Sequence, residues 1–172
     1  MTRIACWLST LAVAVALTTP ASGDLIPQGE WVIDTDQSLV WQRCSRGQTY
    51  TDERCAGAAK QVSFLEAQAT ARAQQSQQCP WRLPRFHELS ALLQPDHAEQ
   101  GLALDTFAFP DTPPGWYWNQ ASAGGHSQQD CFVDFAGMGR TRCNMGGAFH
   151  LRLVMPLSAL ERCIPPTGAT AP

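Results

Sequence analysis

The alternation of apolar and polar residues predicts a β-hairpin near the beginning of the domain. Residues 30–34 (EWVID) and 38–43 (SLVWQR) are short runs rich in β-branched and aromatic side chains. Asp34, Thr35 and Asp36 between them favour a turn. The same criteria predict further strands over residues 116–118, 131–135 and 149–155, whereas the polar, glycine-containing segment 44–59 is typical of a loop.

Two segments carry helix signals. Ser63 and Glu66 fit the capping box S-x-x-E, in which each side chain bonds a free backbone N–H of the first turn. Alanines at every second position from 67 to 73 favour continuation of that helix. Large apolar residues at helical spacing over 86–93 predict a second helix, which Pro95 ends. Helices and short strands in one chain of this length indicate a single α+β domain with two main helices packed on short antiparallel strands.

The first residues have the pattern of a secretory signal peptide. Arg3 precedes a 14-residue apolar run over 4–17, and residues 21–23 (ASG) are small enough for a cleavage site. The run is shorter than the ~20 residues that cross a bilayer. We therefore expect a signal peptide at 1–23, a domain at 24–164, a disordered tail at 165–172, and an exported protein, periplasmic or extracellular, without a membrane span.

Cysteine number and net charge narrow the class of protein. Of the seven cysteines, Cys6 lies in the expected signal peptide, and the even number that remains is typical of disulfides in an exported chain. The connectivity is open from sequence. Local loop closure favours Cys44–Cys55 and Cys131–Cys143, and elimination leaves Cys79–Cys163. The spacings do not suit a zinc site, and the formal net charge of −3 disfavours nucleic-acid binding.

Several short motifs occur in an order that resembles a known family. They are residues 32–35 with 38–45, Gly47-Gln48 with residues 55–57, WRLP at 81–84 followed by Glu88-Leu89, residues 109–110 with 117–118, and residues 132–135 with 151–154. The pattern resembles the Lcl C-terminal domain family of bacterial exported proteins. Ser38 stands where that family usually has glycine.

The resemblance implies a C-type-lectin-like fold, which the formylglycine-generating enzymes share. It also implies that Cys79 and Cys163 come together, because lectin-like folds bring such chain ends close. The best-known relatives are adhesion domains that bind sulfated glycans, although the acidic net charge of this chain does not favour a polysulfate.

The candidate ligand-binding residues are two aromatic and two basic side chains. Trp116 and Trp118 alternate with Tyr117 and so share one strand face, where they either stack on a sugar ring or fill the core. Arg140 and Arg142 flank one residue of a glycine-rich loop between Cys131 and Cys143 and either hold a sulfate or carboxylate or belong to a solvated loop.

Other residues are interpreted as structural. They are Trp41, Trp81, Arg82, Glu88 and Arg152, with Glu88 as the partner of Arg82 or, alternatively, of Arg152. Gln94-Pro95-Asp96 matches a calcium-binding tripeptide of galactose-specific lectins, but the second motif of those sites is broken here. We expect no metal and no cofactor.

These observations leave function hypotheses from different classes. The first is a non-catalytic binding or adhesion module that recognises a glycan or a protein partner at the cell envelope. The second is a structural or accessory subunit of an envelope assembly such as a pilus or secretion apparatus. A formylglycine-generating-like enzyme is the distant alternative, because it needs a reactive pair of free cysteines.

Overall fold

The computed structural model describes residues 25–120, 131–143 and 146–163. The expected signal peptide at 1–23 and the expected tail at 165–172 therefore lie outside the described residues. The described strands and helices are, in chain order, β1 (Leu25–Gln28), β2 (Trp31–Asp34), β3 (Leu39–Gln42), β4 (Thr49–Thr51), β5 (Arg54–Ala56), α1 (Phe64–Gln74), α2 (Phe86–Ser90), β6 (Trp116–Tyr117), β7 (Cys131–Asp134), β8 (Arg140–Cys143), β9 (Val154–Pro156) and α3 (Leu160–Cys163). Single 3₁₀ turns cover Pro95–Gln100 and Leu157–Ala159.

The largest sheet joins the two ends of the described domain. Its strand order is β1-β2-β3-β9, and all neighbours are antiparallel. The predicted hairpin is β2 and β3, and Ser38 in its turn has a left-handed φ of 53°. Glycine adopts that conformation at little cost, which explains why the resembled family prefers glycine there. Strand β1 contains Pro27 and lies at the sheet edge, where proline is tolerated.

A second hairpin lies in the segment that was predicted to be a loop. Strands β4 and β5 pair across Asp52 and Glu53, and both residues have positive φ, 47° and 61°. Positive φ at both central residues is the requirement of the tight hairpin turn that matches strand twist. The loop expectation for residues 44–59 was wrong in this part, because no apolar alternation marks the two polar strands.

The third sheet has the order β6-β7-β8 with antiparallel neighbours. The strand expected over 149–155 is regular only in β9. Its earlier residues make single bridges instead, from Phe149 to Val62 and from His150 to Tyr117. Residues 149–155, which we call the closing segment, therefore connect three parts of the domain rather than extending one of them. These parts are Val62 just before α1, strand β6 and the large sheet.

The expectation of two main helices holds for α1 alone. The Ser63–Glu66 capping box is present at its first turn, and the helix has eleven residues. Helix α2 has five. After Ser90 the N–H groups of Leu92 and Leu93 bond carbonyl oxygens three residues back, and Gln94 N–H donates to the carbonyl of Ala103. This long-range bond turns the chain out of helical geometry before Pro95.

The core has two parts on either side of β3. Trp41 packs with Phe109, Tyr117 and Phe135 in the first part, whereas Val40 belongs to the second, with the members Trp81, Trp118, Phe132, Phe149 and Leu153. The alternation along β3 thus places side chains in both parts. Trp41 and Trp81 are buried, as expected of structural residues.

Disulfide bonds join Cys44 to Cys55 and Cys79 to Cys163, two of the three pairs that the sequence favoured. Cys143 is also disulfide-bonded, and Cys131 is its register partner across β7 and β8. The side chain of Cys131 lies outside the described residues. In the described part of the chain, no helix is long and apolar enough to span a membrane.

Candidate functional site

The four candidate ligand residues all belong to one face of the β6–β7–β8 sheet, here called the β6–β8 face. Trp116 pairs with Asp134, and Asp134 pairs with Arg140, so these three side chains form a row across the strands. Arg142 is opposite Phe132 in the next row, and the Phe132 ring centroid lies 5.2 Å from that of Trp118. The sheet thus gathers the four residues as the sequence predicted.

Within the first row, Arg140 is held in place by two neighbours. Its Nε–H donates to Asp134 Oδ2 at 2.8 Å, and its guanidinium carbon lies 5.3 Å from the centroid of the Trp116 ring. Asp134 is buried and also accepts the N–H of Ala136, whereas 68% of the Arg140 side chain is exposed. A guanidinium fixed over an aromatic ring is oriented but still accessible.

Trp118 does not lie on the accessible part of this face, and its assignment as a ligand-binding residue is corrected. It is 5% exposed, and its indole N–H donates to the carbonyl of Val62 at 2.7 Å. The rings of Phe64, Phe132 and Phe149 surround it at centroid distances of 4.7–5.2 Å. Periodicity puts Trp116 and Trp118 on one face, but the closing segment and α1 cover only the second of them.

Arg142 is exposed, and none of the ion pairs formed within residues 25–120, 131–143 and 146–163 uses it. Trp116 is half-buried. The accessible groups of the β6–β8 face are therefore one aromatic ring, one internally paired guanidinium and one guanidinium without an ion-pair partner among the described residues.

A cleft of about 190 Å³ lies elsewhere in the described domain, between the end of β3 and strand β4. We call it the β3–β4 cleft. The side chains that give it chemical character are Glu30, Trp31, Gln42, Arg46, Tyr50 and Gln74. They come from three separate parts of the chain, 30–31, 42–50 and 74, and sequence reasoning missed the cleft entirely.

The two aromatic rings of the cleft are supported from behind. Trp31 stacks on Trp81 with ring centroids 5.1 Å apart and planes inclined by 27°. The guanidinium carbon of Arg43 lies over the Tyr50 ring, 4.6 Å from the ring centroid. The Tyr50 hydroxyl accepts a hydrogen bond from the same guanidinium. Arg43 is itself buried and donates to the carbonyl oxygens of Ala108, Gly29 and Phe107 at 3.0–3.2 Å.

The wall formed by residues 45–48 is closely fitted. Gln48 Oε1 accepts the N–H of Ser45 at 3.2 Å, and Gln48 Nε2 donates to the carbonyls of Cys55 and Asp111. Gly47 has φ of 99°, and a Cβ there would stand 2.7 Å from the carbonyl oxygen of Ala58. Only glycine fits this position, so the turn that bounds the cleft is determined by its sequence.

Beneath the cleft lies the Arg152 centre, which we define as Arg152 and its hydrogen-bond acceptors. One terminal nitrogen donates to the carbonyls of Gln42 and Arg43, and the other donates to Ser45 Oγ at 3.3 Å and Thr112 Oγ1 at 2.7 Å. The guanidinium carbon is 4.4 Å from the Phe109 ring centroid. Burial lowers the pKa of Arg152 from its ordinary value, against the opposing effect of Tyr117. Arg152 is structural, as expected.

Arg82 and Glu88 form the ion pair that the sequence favoured. The two guanidinium nitrogens donate to the two carboxylate oxygens at 2.8 and 2.7 Å, and Glu88 also accepts the N–H of Arg85 at 2.7 Å. The carboxylate is the buried member, while 26% of the Arg82 side chain is exposed. Burial alone raises the pKa of Glu88, but the bonds and charges of Arg82 and Arg85 outweigh it, so the pKa lies below its ordinary value.

No group of three or more histidine, cysteine, aspartate or glutamate side chains that could hold a metal occurs among the residues described. The sequence signal for the β6–β8 face was the spacing of two tryptophans and two arginines. It missed Asp134, the buried anchor of Arg140, because only strand pairing brings the two together. For the cleft, the Gly47-Gln48 pair was noted as part of a family pattern, without its role in forming a wall.

Comparison with known proteins identifies the family of the chain through a family model. No curated protein and no solved structure matches the chain. The family model of the Lcl C-terminal domain matches residues 30–155, a span that contains the β3–β4 cleft, the Arg152 centre, the Arg82–Glu88 pair and the β6–β8 face. Because the match covers most of the sequence, the chain belongs to the Lcl C-terminal domain family.

Proposed function

We propose that this protein is an exported, non-catalytic binding module that recognises a glycan or a protein partner at the cell envelope through the β6–β8 face. The observation that carries the proposal is the row in which buried Asp134 holds Arg140 over the ring of Trp116. Such a row offers a partner an aromatic surface and an oriented guanidinium at once.

The chemistry of the face suits a partner with planar or hydroxyl-rich groups. Arginine presents several N–H donors in a rigid fork that bonds carboxylate and sulfate oxygens. Asp134 bonds Arg140 through its Nε, and no other described side chain bonds the terminal nitrogens, which we propose as donors to the ligand. Arg142 supplies a second set of donors on the same face.

The fold that we propose for the module is C-type-lectin-like. Two features of the domain support it beyond the family resemblance. Strands β1–β3 from the beginning of the domain share a sheet with β9 from its end, and the Cys79–Cys163 bond ties the exit of α1 to α3. Both features bring the ends of the domain together.

Export and a non-catalytic role are supported by the cysteines. Disulfides persist in oxidising compartments outside the cytosol. All five cysteines with described side chains, namely Cys44, Cys55, Cys79, Cys143 and Cys163, are disulfide-bonded. A formylglycine-generating-like reaction needs a reactive thiol pair, and these five cysteines do not supply one.

A structural or accessory subunit of an envelope assembly is the second candidate function. It is favoured by exposed apolar side chains close to the surfaces described above. Met138, in the turn between β7 and β8, is 65% exposed, and Phe107, whose carbonyl binds Arg43, is 77% exposed. Exposed apolar groups of this kind are typical of protein contacts, and Met138 extends the β6–β8 face at one end.

The test is binding to an immobilised glycan panel and to envelope extracts, with Trp116→Ala and Arg142→Ala as the informative variants. For the glycan or envelope protein that the wild-type protein binds, we expect the affinity of each variant to be about tenfold lower, which is equivalent to ~1.4 kcal/mol. Arg162→Ala is the matched control, because Arg162 is an exposed arginine on α3. Retention of the partner by both variants at wild-type affinity would place binding on another surface.

A further inference from the structure

The β3–β4 cleft combines aromatic rings, amide groups and balanced charge. Each of its two rings has one face covered, Trp31 by the Trp81 ring and Tyr50 by the Arg43 guanidinium. Both residues are half-buried and line the cleft, so a ligand can stack only on the opposite faces. Rings that are backed by protein in this way lose little conformational freedom when a ligand binds.

Two glutamines on the cleft wall leave complementary groups for a ligand. Gln42 Nε2 donates to Gln74 Oε1 at 2.6 Å. Each glutamine side chain carries one acceptor, the oxygen Oε1, and two N–H donors on the nitrogen Nε2. After their mutual bond, the pair still offers Gln42 Oε1 as an acceptor and Gln74 Nε2 as a donor. A hydroxyl group both donates and accepts, so neighbouring hydroxyls on one ring satisfy this pair.

The charges in the cleft cancel. Glu30 and Arg46 are both exposed and both line it, and neither belongs to an ion pair formed within the described residues. One carboxylate and one guanidinium at the same opening give no net attraction for an anion. The whole chain has a formal net charge of −3, which weakens attraction for polyanions further.

The size and rigidity of the cleft limit the ligand. Its volume of about 190 Å³ is below the ~300–1,000 Å³ of sites for drug-sized molecules, so it has room for about one ring. Its walls are pre-formed. The Cys44–Cys55 bond, the Gln48 bridge, buried Arg43 and the Arg152 centre hold the backbone at residues 42–48.

We propose that the β3–β4 cleft binds a single neutral sugar unit, stacked on Tyr50 and hydrogen-bonded to the Gln42–Gln74 pair. This site is separate from the β6–β8 face, so it goes beyond the proposed function. The two sites use different chemistry. The face offers cationic donors to a partner, whereas the cleft selects an uncharged, hydroxyl-rich ring.

The test uses methyl glycosides of glucose, galactose, mannose and N-acetylglucosamine as probes, with saturation-transfer NMR on the purified, disulfide-bonded protein. We expect at least one glycoside to bind, with a dissociation constant on the order of 1–10 mM for so small a ligand. Gln74→Ala should weaken that binding about fivefold, since it removes one hydrogen-bonding partner. Gln78→Ala, a change of the same type at an exposed residue beyond α1, should leave binding unchanged.

Tyr50→Ala should abolish glycoside binding, and Tyr50→Phe should retain most of it, because the ring rather than the hydroxyl makes the stacking contact. The double variant Glu30→Gln with Arg46→Gln should bind within about twofold of wild type, since a neutral ligand does not depend on either charge. Thermal unfolding of each variant checks that the domain is intact.

The inference is overturned if none of the four glycosides binds, or if Gln74→Ala and Tyr50→Ala both bind like the wild type. Loss of glycoside binding in the charge-neutralised double variant would also overturn it, because Glu30 or Arg46, rather than the Gln42–Gln74 pair, would then hold the sugar. Trp116→Ala separates this result from the proposed function. This variant should leave glycoside binding at the cleft unchanged, while it lowers the affinity of the β6–β8 face for its glycan or protein partner.

Discussion

The side chains of Arg152 and Arg82 are both held by several hydrogen bonds, but their acceptors are of opposite kinds. Arg152 is fully buried and donates only to neutral carbonyl and hydroxyl oxygens. Arg82 is partly exposed and is paired with the buried carboxylate of Glu88. The backbone of Arg82 also exchanges two hydrogen bonds with Val154, two residues beyond Arg152.

The comparison shows two ways to keep an arginine in a domain interior. Arginine retains its charge in proteins, so a buried guanidinium needs an acceptor for most of its donors. Neutral oxygens supply them at the Arg152 centre, and these oxygens belong to the backbone and hydroxyls that support the β3–β4 cleft. A carboxylate supplies them for Arg82, and that carboxylate can be protonated. The first arrangement is independent of pH, and the second is not.

The largest effect is expected for Arg152→Met, which keeps an unbranched side chain but removes the guanidinium, with every donor and its contact with the Phe109 ring. Several buried oxygens then lose their partner, at about 1–3 kcal/mol for each unsatisfied group. The lost charge also relieves its own cost of burial. We expect a net loss of roughly 4 kcal/mol in the free energy of unfolding, measured by urea denaturation.

Arg162→Met is the control, because Arg162 is exposed and donates only to the carbonyl of Ser158. Wild-type stability of Arg152→Met would show that the cost of burying the guanidinium equals the value of its bonds. Since the Arg152 centre supports residues 42–45, this variant should also lose glycoside binding at the cleft.

Glu88→Ala should have a smaller effect. Removing one partner of a fully buried ion pair costs ~3–5 kcal/mol. Arg82 is partly exposed and can be hydrated when Glu88 is removed, so we expect a loss of about 2–3 kcal/mol at pH 7. The measurement is the urea midpoint. A variant whose unfolding coincides with that of the wild type would show that the ion pair adds nothing.

The pH dependence distinguishes the two arginines. The pKa of Glu88 in the folded protein lies below its ordinary value, which is ~4.3 in an unfolded chain. Its contribution is therefore complete above that value and is lost as pH falls through the folded pKa. The stability difference between wild type and Glu88→Ala should shrink below pH ~4, whereas the difference for Arg152→Met should persist.

The smallest effect is expected for Arg54→Gln. The Arg54–Asp111 pair resembles the Arg82–Glu88 pair in its two hydrogen bonds, but 74% of the Arg54 side chain is exposed. Exposed ion pairs contribute little because water and salt screen them. The melting temperature should equal that of the wild type within measurement error. A clear decrease would mean that exposure is a poor guide to the value of these pairs.

The features that could be predicted from the sequence are those whose cause is local. The capping box at Ser63 satisfies the first turn of α1 with side chains three residues apart. The β2–β3 hairpin follows from alternation and a polar turn. Length was less predictable. Helix α2 is short because Gln94 bonds Ala103, and strand β4 was missed because its residues alternate without apolar side chains.

The candidate site shows the same division. Spacing placed Trp116 and Trp118 on one strand face, because a strand alternates with a period of two. Arg140 and Arg142 were expected in a loop; they lie in β8, and its pairing with β7 brings them to the same face. Spacing could not show that Phe149 and Phe64 cover Trp118, since those contacts join residues far apart in the chain. Asp134 and Arg140 are only six residues apart, but their contact depends on the register in which β7 pairs with β8.

The sequence by itself determined where several elements begin and which residues of one strand share a face, because these depend on backbone geometry over a few residues. Tertiary structure alone decided that Glu88 pairs with Arg82 and not with Arg152. It also decided that Gln74 at the end of α1 meets Gln42 in β3 to form the cleft. Burial and long-range pairing set these outcomes, and neither can be read from the order of residues along the chain.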